Sequence, residues 1–128
     1  MPGALMKVGE QAELTRTYHA ADLVEYAAVS GHRCHDSRSI PEPLIGALFS
    51  CLLGVHLPGL GTMYLKQETR FLADAGVGEA LTARVEITRL RPEQHLVDLA
   101  TTCCNGAGDL LAEGRALVYV RDVVGRND

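Results

Sequence analysis

One apolar stretch, residues 39–55, constrains the fold of this chain more than any other part of its sequence. Apolar side chains fall on nearly every side of the helix that this stretch would form, and such a helix is usually buried. These side chains are Leu44, Ile45, Leu48, Phe49, Leu52, Leu53 and Val55. A membrane span needs about 20 apolar residues, whereas this run is shorter and begins with prolines and a glutamate. We therefore predict a buried core helix around which the rest of the chain packs.

The sequence also predicts where this helix begins and ends. Ser39 followed three residues later by Glu42 fits a capping box. Pro41 and Pro43 then fall in the first turn, where a missing N–H costs little. Gly54 is typical of a helix C-terminus.

The composition is that of one ordinary globular domain. The chain has 128 residues, of which 47% are hydrophobic and 22% are charged, so we predict a single domain over residues 1–128. The formal net charge of −4 provides no basic surface for nucleic acid. The first residues lack the apolar core of a signal peptide. We therefore expect a cytoplasmic protein with no nucleic-acid or membrane partner.

The cysteines predict neither a metal site nor a disulfide framework. Cys34, Cys51, Cys103 and Cys104 include no CxxC pair, so we expect four reduced thiols and no zinc. Cys51 lies inside the apolar helix, where a cysteine usually behaves as a small hydrophobe. Cys103 and Cys104 are adjacent in a predicted strand, so their side chains point to opposite faces.

The N-terminal third of the chain predicts a short strand and a helix. Residues 1–12 form a loose entry segment, residues 13–18 a strand, and residues 20–29 an amphipathic helix. Ser30 and Gly31 end that helix. The polar residues 32–38 then lead directly into the core helix.

Four extended segments follow the core helix, and a frayed polar tail follows them. Apolar and polar residues alternate in them, which is typical of half-buried antiparallel strands, and their turn-like links predict a meander. The expected fold is therefore α+β, with a curved antiparallel sheet wrapped around a long central helix. Its outer edge would be covered by dimerisation. The predicted strands cover residues 62–72, 79–90, 95–104 and 109–122.

Several sequence runs resemble one known family, the MaoC-like, (R)-specific enoyl-CoA hydratases. The family motif LPG-G-[ST]-x-Y-L-x-Q-x-x-x-F is nearly intact. The resemblance implies a single hotdog domain, a homodimer, no cofactor, and an acyl thioester substrate carried on CoA or a carrier protein. The runs that carry it are VSG at 29–31, GALFSCLLG at 46–54, LPGLGTMYLKQETRF at 57–71, VGEALTARVEITRLR at 77–91 and GRALVYV at 114–120.

The catalytic signature of that family, S-G-D-x-N-P-x-H followed by a His-Gly at the helix start, is altered here. In the family the Asp and His act on water and on the α-proton, and the glycine N–H polarises the thioester carbonyl. His32 stands at the Asp position, Cys34 and His35 replace Asn-Pro, and Ser37 stands at the histidine position.

The differences continue at the start of the core helix. Pro41-Glu42 replaces the family's His-Gly, and Thr62 matches a serine that often joins the site. An overhanging stretch that lines the acyl pocket in the family is missing between Ser39 and Ile40. The scaffold is therefore retained while the usual acid–base pair is not.

The polar segment supplies one set of candidate catalytic groups. Hydration of an enoyl thioester needs a base for water, an acid for the α-carbon and donors for the enolate oxygen. His32 and His35 could serve as base and acid, because imidazole titrates near neutral pH. Asp36 could set the tautomer of its neighbour. The alternative is that residues 32–38 form a solvated polar loop.

Glu42 has three interpretations: a capping-box residue, a surface charge, or a catalytic carboxylate kept ionised by the helix N-terminus. Thr62 could bind substrate through its hydroxyl, or simply be a β-branched strand residue. We include Ser37 and Gly61 with Thr62 as predicted substrate-binding residues.

Three functions follow from these alternatives. The first is a lyase that hydrates or dehydrates an acyl thioester, with His32, His35, Asp36 and Glu42 as catalytic residues. The second is a hotdog thioesterase that uses Glu42 or Asp36. The third is a catalytically degenerate hotdog that binds acyl groups or serves as a structural subunit.

Overall fold

The computed structural model describes residues 5–30, 40–57, 62–120 and 124–126. Its helices and longer strands agree with the predicted segments to within a few residues, and the α+β class is confirmed. Within the described part, no helix is long and apolar enough to cross a membrane. The helices are α1 (Ala20–Ser30) and α2 (Glu42–Cys51), and the strands are β1 (Leu5–Lys7), β2 (Gln11–Thr17), β3 (Thr62–Phe71), β4 (Ala80–Arg91), β5 (Leu96–Cys104), β6 (Leu110–Val120) and β7 (Val124–Arg126).

The main antiparallel sheet has the strand order β2-β4-β5-β6-β3. β4, β5 and β6 pair in chain order, as predicted, but β3 pairs with β6 and not with β4. The predicted meander is therefore wrong for β3. Residues 72–79 cross between strands that are not neighbours in the sheet. Ile40 N–H donates to Ala75 O of this loop, and Gly78 N–H of the loop donates to Tyr18 O.

A small parallel pair, β1 with β7, joins the two ends of the chain. The predictions of a loose entry segment and a frayed tail are therefore wrong for residues 5–7, 11–12 and 124–126. Strands of three residues carry too little alternation to be recognised in a sequence. β1 and β7 form because each supplies the backbone hydrogen-bond partners of the other.

The core lies between α2 and the inner face of the main sheet. The alternation predicted in β4 is confirmed, since Leu81, Ala83, Val85 and Ile87 are all fully buried. α2 contributes the largest fully buried side chain of this core, Phe49. Its other buried residues, together with those of the turn that follows, are Ile45, Leu48, Leu52, Leu53 and Leu57.

The helix is buried on one face only, which corrects the expectation that nearly all of it is covered. Ala47, Ser50 and Cys51 are exposed, so the prediction that Cys51 packs as a buried hydrophobe is wrong. With 3.6 residues per turn, these positions lie opposite the buried stripe. Gly54 does not end the helix either. A π-helical segment, Leu52–His56, continues it, and Leu57 N–H donates to Leu52 O at 2.8 Å.

Gly114 allows β3 and β6 to approach each other closely. A Cβ at this position would lie 1.8 Å from the carbonyl oxygen of Glu68 and 2.9 Å from the Cα of Thr69. We expect Gly114→Ala to lower the free energy of unfolding by about 3 kcal/mol, because the backbone of β3 must move. Urea unfolding measures this loss.

Gly106→Ala provides the matched control for this substitution. Its nearest contact would be Ala80 O at 4.0 Å, so we expect a change within about 0.5 kcal/mol. Equal stabilities of the two variants would contradict the close approach at Gly114.

Thr101 is a buried polar residue on the inner face of β5. Its Oγ1 has no hydrogen-bond partner within the described part of the chain. A buried unpaired hydroxyl costs about 1–3 kcal/mol, so we expect Thr101→Val to raise the Tm by roughly 4 °C in calorimetry. Thr15→Val, which removes a hydroxyl bonded to Thr82 at 3.0 Å, should give no increase. A lower Tm for Thr101→Val would show that the hydroxyl is satisfied.

Candidate active site

The start of α2 leaves one backbone donor free. Pro41, with φ −57° and ψ 138°, is the N-cap, and Pro43 lies in the first turn. Neither has an N–H, and Leu44 N–H donates to Pro41 O at 3.0 Å. Glu42 N–H makes no hydrogen bond within the described part of the chain. A free N–H at the positive end of a helix is suited to bind a carbonyl oxygen or an anion.

The capping box predicted from Ser39 and Glu42 is wrong. Glu42 is the first residue of the helix, and no side-chain hydrogen bond caps it. The physical reason is Pro41, because a residue before proline is disfavoured in the helical region, which keeps Ile40 out of the helix. The carboxylate of Glu42 is instead exposed. It makes no ion pair or hydrogen bond with another described residue.

Two hydrogen bonds, one to the β3–β4 loop and one from the residue after β2, hold this end of α2. Buried Ile40, just before the helix, donates its N–H to Ala75 O at 2.8 Å. The hydroxyl of Tyr18, at the end of β2, donates to Leu44 O in the first turn at 3.3 Å. Gly78 N–H in turn donates to Tyr18 O at 2.8 Å. The β3–β4 loop and the end of β2 therefore fix the helix start together.

A cleft of about 460 Å³ runs along the exposed face of α2, and we call it the α2 cleft. It begins at Pro43 in the first turn, next to Glu42. Small side chains line its helix side, so an extended apolar chain can lie against them. Gln67 of β3 lies opposite, and its Nε2 donates to Thr69 Oγ1 at 2.9 Å. The lining residues are Pro43, Gly46, Ala47, Ser50 and Gln67.

A larger depression, about 580 Å³, lies on the sheet away from α2. Its charged side chains pair with one another: Arg70 with Glu113 at 2.6 Å, and Arg115 with Glu68 at 3.4 Å. Lys66, followed by Arg115, lowers the pKa of the Glu68 carboxyl. Because these charges already satisfy each other, we place the candidate site at the α2 cleft.

Most of the predicted site residues cannot be placed. His32, His35, Asp36, Ser37 and Gly61 lie outside the described residues, so their roles stay predictions. Thr62 begins β3 and pairs with Val120, but its side chain lies outside the described part. Among the predicted site residues, only Glu42 has a described side chain, and it lies at the helix start.

The structure adds two residues that sequence reasoning missed, Tyr18 and Gln67. Gln67 is the glutamine of the family motif, which was a usable signal. Tyr18 carries no such signal, because only the fold brings the end of β2 to α2.

Neither the buried thiol of Cys103 nor a metal cluster provides an alternative reactive centre in the described part of the chain. Burial raises the pKa of the Cys103 thiol to about 11, so this cysteine stays protonated and unreactive near neutral pH. Among the described residues, no group of three or more His, Cys, Asp or Glu side chains could hold a metal ion.

Comparisons with known proteins give consistent relatives, although no family model matches the chain. It is 31% identical to the (R)-specific enoyl-CoA hydratase of Aeromonas caviae over 92% of this chain and 98% of that protein. It is 33% identical to the enzyme of the same name from Rhodospirillum rubrum, over 90% and 88%.

The solved structures agree with these relatives. The (R)-hydratase from A. caviae involved in PHA biosynthesis has a TM-score of 0.83 at 32% identity, covering 90% of this chain and 97% of that one. Unliganded R-hydratase PhaJ1 from Pseudomonas aeruginosa has a TM-score of 0.84 at 30% identity, covering 94% and 84%.

Proposed function

Because the chain belongs to the (R)-specific enoyl-CoA hydratase family of hotdog-fold hydro-lyases, we propose that it hydrates an enoyl thioester, or dehydrates the 3-hydroxyacyl thioester in reverse. The acyl group is carried on CoA or on a carrier protein. The observation that carries the proposal is the free Glu42 N–H at the start of α2. In this family a glycine N–H at the same position polarises the thioester carbonyl.

The proposed chemistry separates carbonyl binding from proton transfer. A base takes a proton from water, the water oxygen bonds to C3, and the π electrons of the double bond move toward the carbonyl. Glu42 N–H donates to the enolate oxygen that forms. An acid then protonates C2, which completes the addition of water.

We assign the proton transfers to His32 and His35. They stand in the segment that supplies the acid–base pair in the family, and imidazole can act as both base and acid near pH 7. Asp36 would set the tautomer, and Ser37, Gly61 and Thr62 would contact the substrate. No metal or other cofactor takes part in this chemistry.

The α2 cleft would receive the acyl chain. The side chains of α2 that line this cleft are small, and the stretch that overhangs the acyl pocket in the family is missing from this sequence. Both features favour an acyl chain bulkier than a short enoyl group. A polyketide or another specialised acyl chain fits this description.

One edge of β3 is unpaired within the part of the chain that the structure describes, and this edge supports a homodimer. β3 is an edge strand of the main sheet, and Met63 and Leu65 on it are 62% and 54% exposed. An exposed apolar edge strand usually requires a cover, and a second copy would provide one. Light scattering at micromolar concentration tests this part of the proposal.

The test of the activity is incubation with crotonyl-CoA and with longer and branched enoyl thioesters on CoA and on a carrier protein. We expect loss of the enoyl absorbance and formation of the 3-hydroxyacyl product. If no thioester turns over while acyl-CoA still raises the Tm, the protein is an acyl-binding subunit and the proposal is wrong.

A second candidate, thioester hydrolysis, is favoured by one observation. The Glu42 carboxylate is exposed and unpaired within the described part of the chain. Such a carboxylate at the start of a helix could attack a thioester or activate water. Release of free thiol from an acyl-CoA, abolished by Glu42→Gln, would support hydrolysis over hydration.

A further inference from the structure

Tyr18, directly after β2, makes a polar contact with the first turn of α2. The residue is 4% exposed, and its hydroxyl donates to Leu44 O at 3.3 Å. Leu44 follows Glu42 by two positions. The contact therefore acts on the same turn that presents the free Glu42 N–H.

Tyr18 is itself held from two sides. Its carbonyl accepts from Gly78 N–H at 2.8 Å, and the guanidinium of Arg16 lies 4.7 Å from the centre of its ring. Its ring position therefore does not depend on the hydroxyl. Burial raises the pKa of the hydroxyl above its usual value, so it remains a donor throughout the neutral range.

The first turn has few other backbone restraints. Pro41 and Pro43 donate nothing, and no side chain caps the helix. Ile40 is bonded to Ala75 before the helix begins, and the hydroxyl of Tyr18 acts after it has begun. The two contacts bracket Glu42 along the chain.

We propose that Tyr18 is a positioning residue for the reaction, whose hydroxyl orients the first turn of α2 so that Glu42 N–H points at the thioester carbonyl. This inference rests on the proposed hydratase function. Tyr18 does not touch the substrate. It acts through Leu44, and its effect falls on kcat because orientation matters most where charge develops in the transition state.

The test compares Tyr18→Phe with Tyr119→Phe. Tyr119 lies on β6 between buried Val118 and Val120, and its ring contacts His95, so its variant removes a tyrosine hydroxyl from the sheet face opposite to the core. We expect Tyr18→Phe to lower kcat about tenfold with KM within about twofold of wild type. Tyr119→Phe should change neither. Equal kcat values for both variants would overturn the inference.

A double-mutant cycle separates positioning from general destabilisation. In a Glu42→Pro background, which lacks the N–H, Tyr18→Phe should cause no further loss of kcat. A full additional tenfold loss would mean that Tyr18 acts elsewhere.

Hydrogen exchange gives a readout that does not depend on activity. Amides of the first α2 turns should exchange faster in Tyr18→Phe than in Tyr119→Phe, and unchanged exchange would overturn the inference. If the wild-type protein hydrates no enoyl thioester while exchange still rises, the proposed function fails and the orienting contact remains.

Discussion

Replacing Glu42 by proline is expected to lower kcat for hydration by about 100- to 1000-fold, the usual effect of removing one donor to a developing oxyanion. The substitution removes the free N–H, and proline is favoured at the first position of a helix. Pro41 already has ψ 138°, which is compatible with a following proline. Steady-state kinetics with the best enoyl thioester measure the loss.

Glu42→Gln and Glu42→Ala are the matched controls, because both keep the N–H. We expect each to retain kcat within about tenfold, and circular dichroism of all three variants should match that of the wild type. If Glu42→Pro lowers kcat no more than Glu42→Gln does, the backbone N–H has no role in the reaction. If Glu42→Gln lowers kcat as much as Glu42→Pro does, the carboxylate of Glu42 is the important group.

The second large effect is expected from the polar segment before α2. A variant carrying both His32→Asn and His35→Asn should lose about 100- to 10,000-fold in kcat, the usual contribution of general acid–base catalysis. Asparagine keeps the polarity of the segment but cannot transfer a proton near neutral pH. The pH dependence of kcat/KM measures the same groups independently.

The single variants show how much each of the two histidines contributes to kcat. Replacing either histidine alone should cause a large loss of kcat, and the losses of the two single variants should not add in the double variant. Retention of wild-type kcat by the double variant would leave residues 32–38 as a solvated loop. Asp36 would then become the next residue to replace.

Sequence reasoning predicted the body of the fold better than its connections. Burial in the core requires apolar side chains at alternate positions of β4 and at many positions of α2. Residues such as Val85 and Phe49 could therefore be assigned to the core from the sequence. The pairing of β3 with β6 could not, because a short turn-like link does not reveal that its backbone bonds go to Ile40 and Tyr18.

The start of α2 shows a different limit. Ser39 and Glu42 fit a local capping rule, but Pro41 disfavours the helical conformation at Ile40, and Pro41 itself, with ψ 138°, lies outside the helix. Exposure of Cys51 was missed for a related reason. Helical periodicity gives the relative faces of a helix, but whether the second face is covered depends on elements far away in the chain.

The β3–β4 loop has a consequence for any attempt to redesign this protein. It is bonded to Ile40 through Ala75 and to Tyr18 through Gly78, so three distant segments of the chain meet in it. Deleting residues 75–78 would remove both attachments, and a tight hairpin could not replace the loop because β5 and β6 lie between β3 and β4 in the sheet. A designer who wishes to graft a new active-site segment before α2 should therefore transplant residues 72–79 together with it.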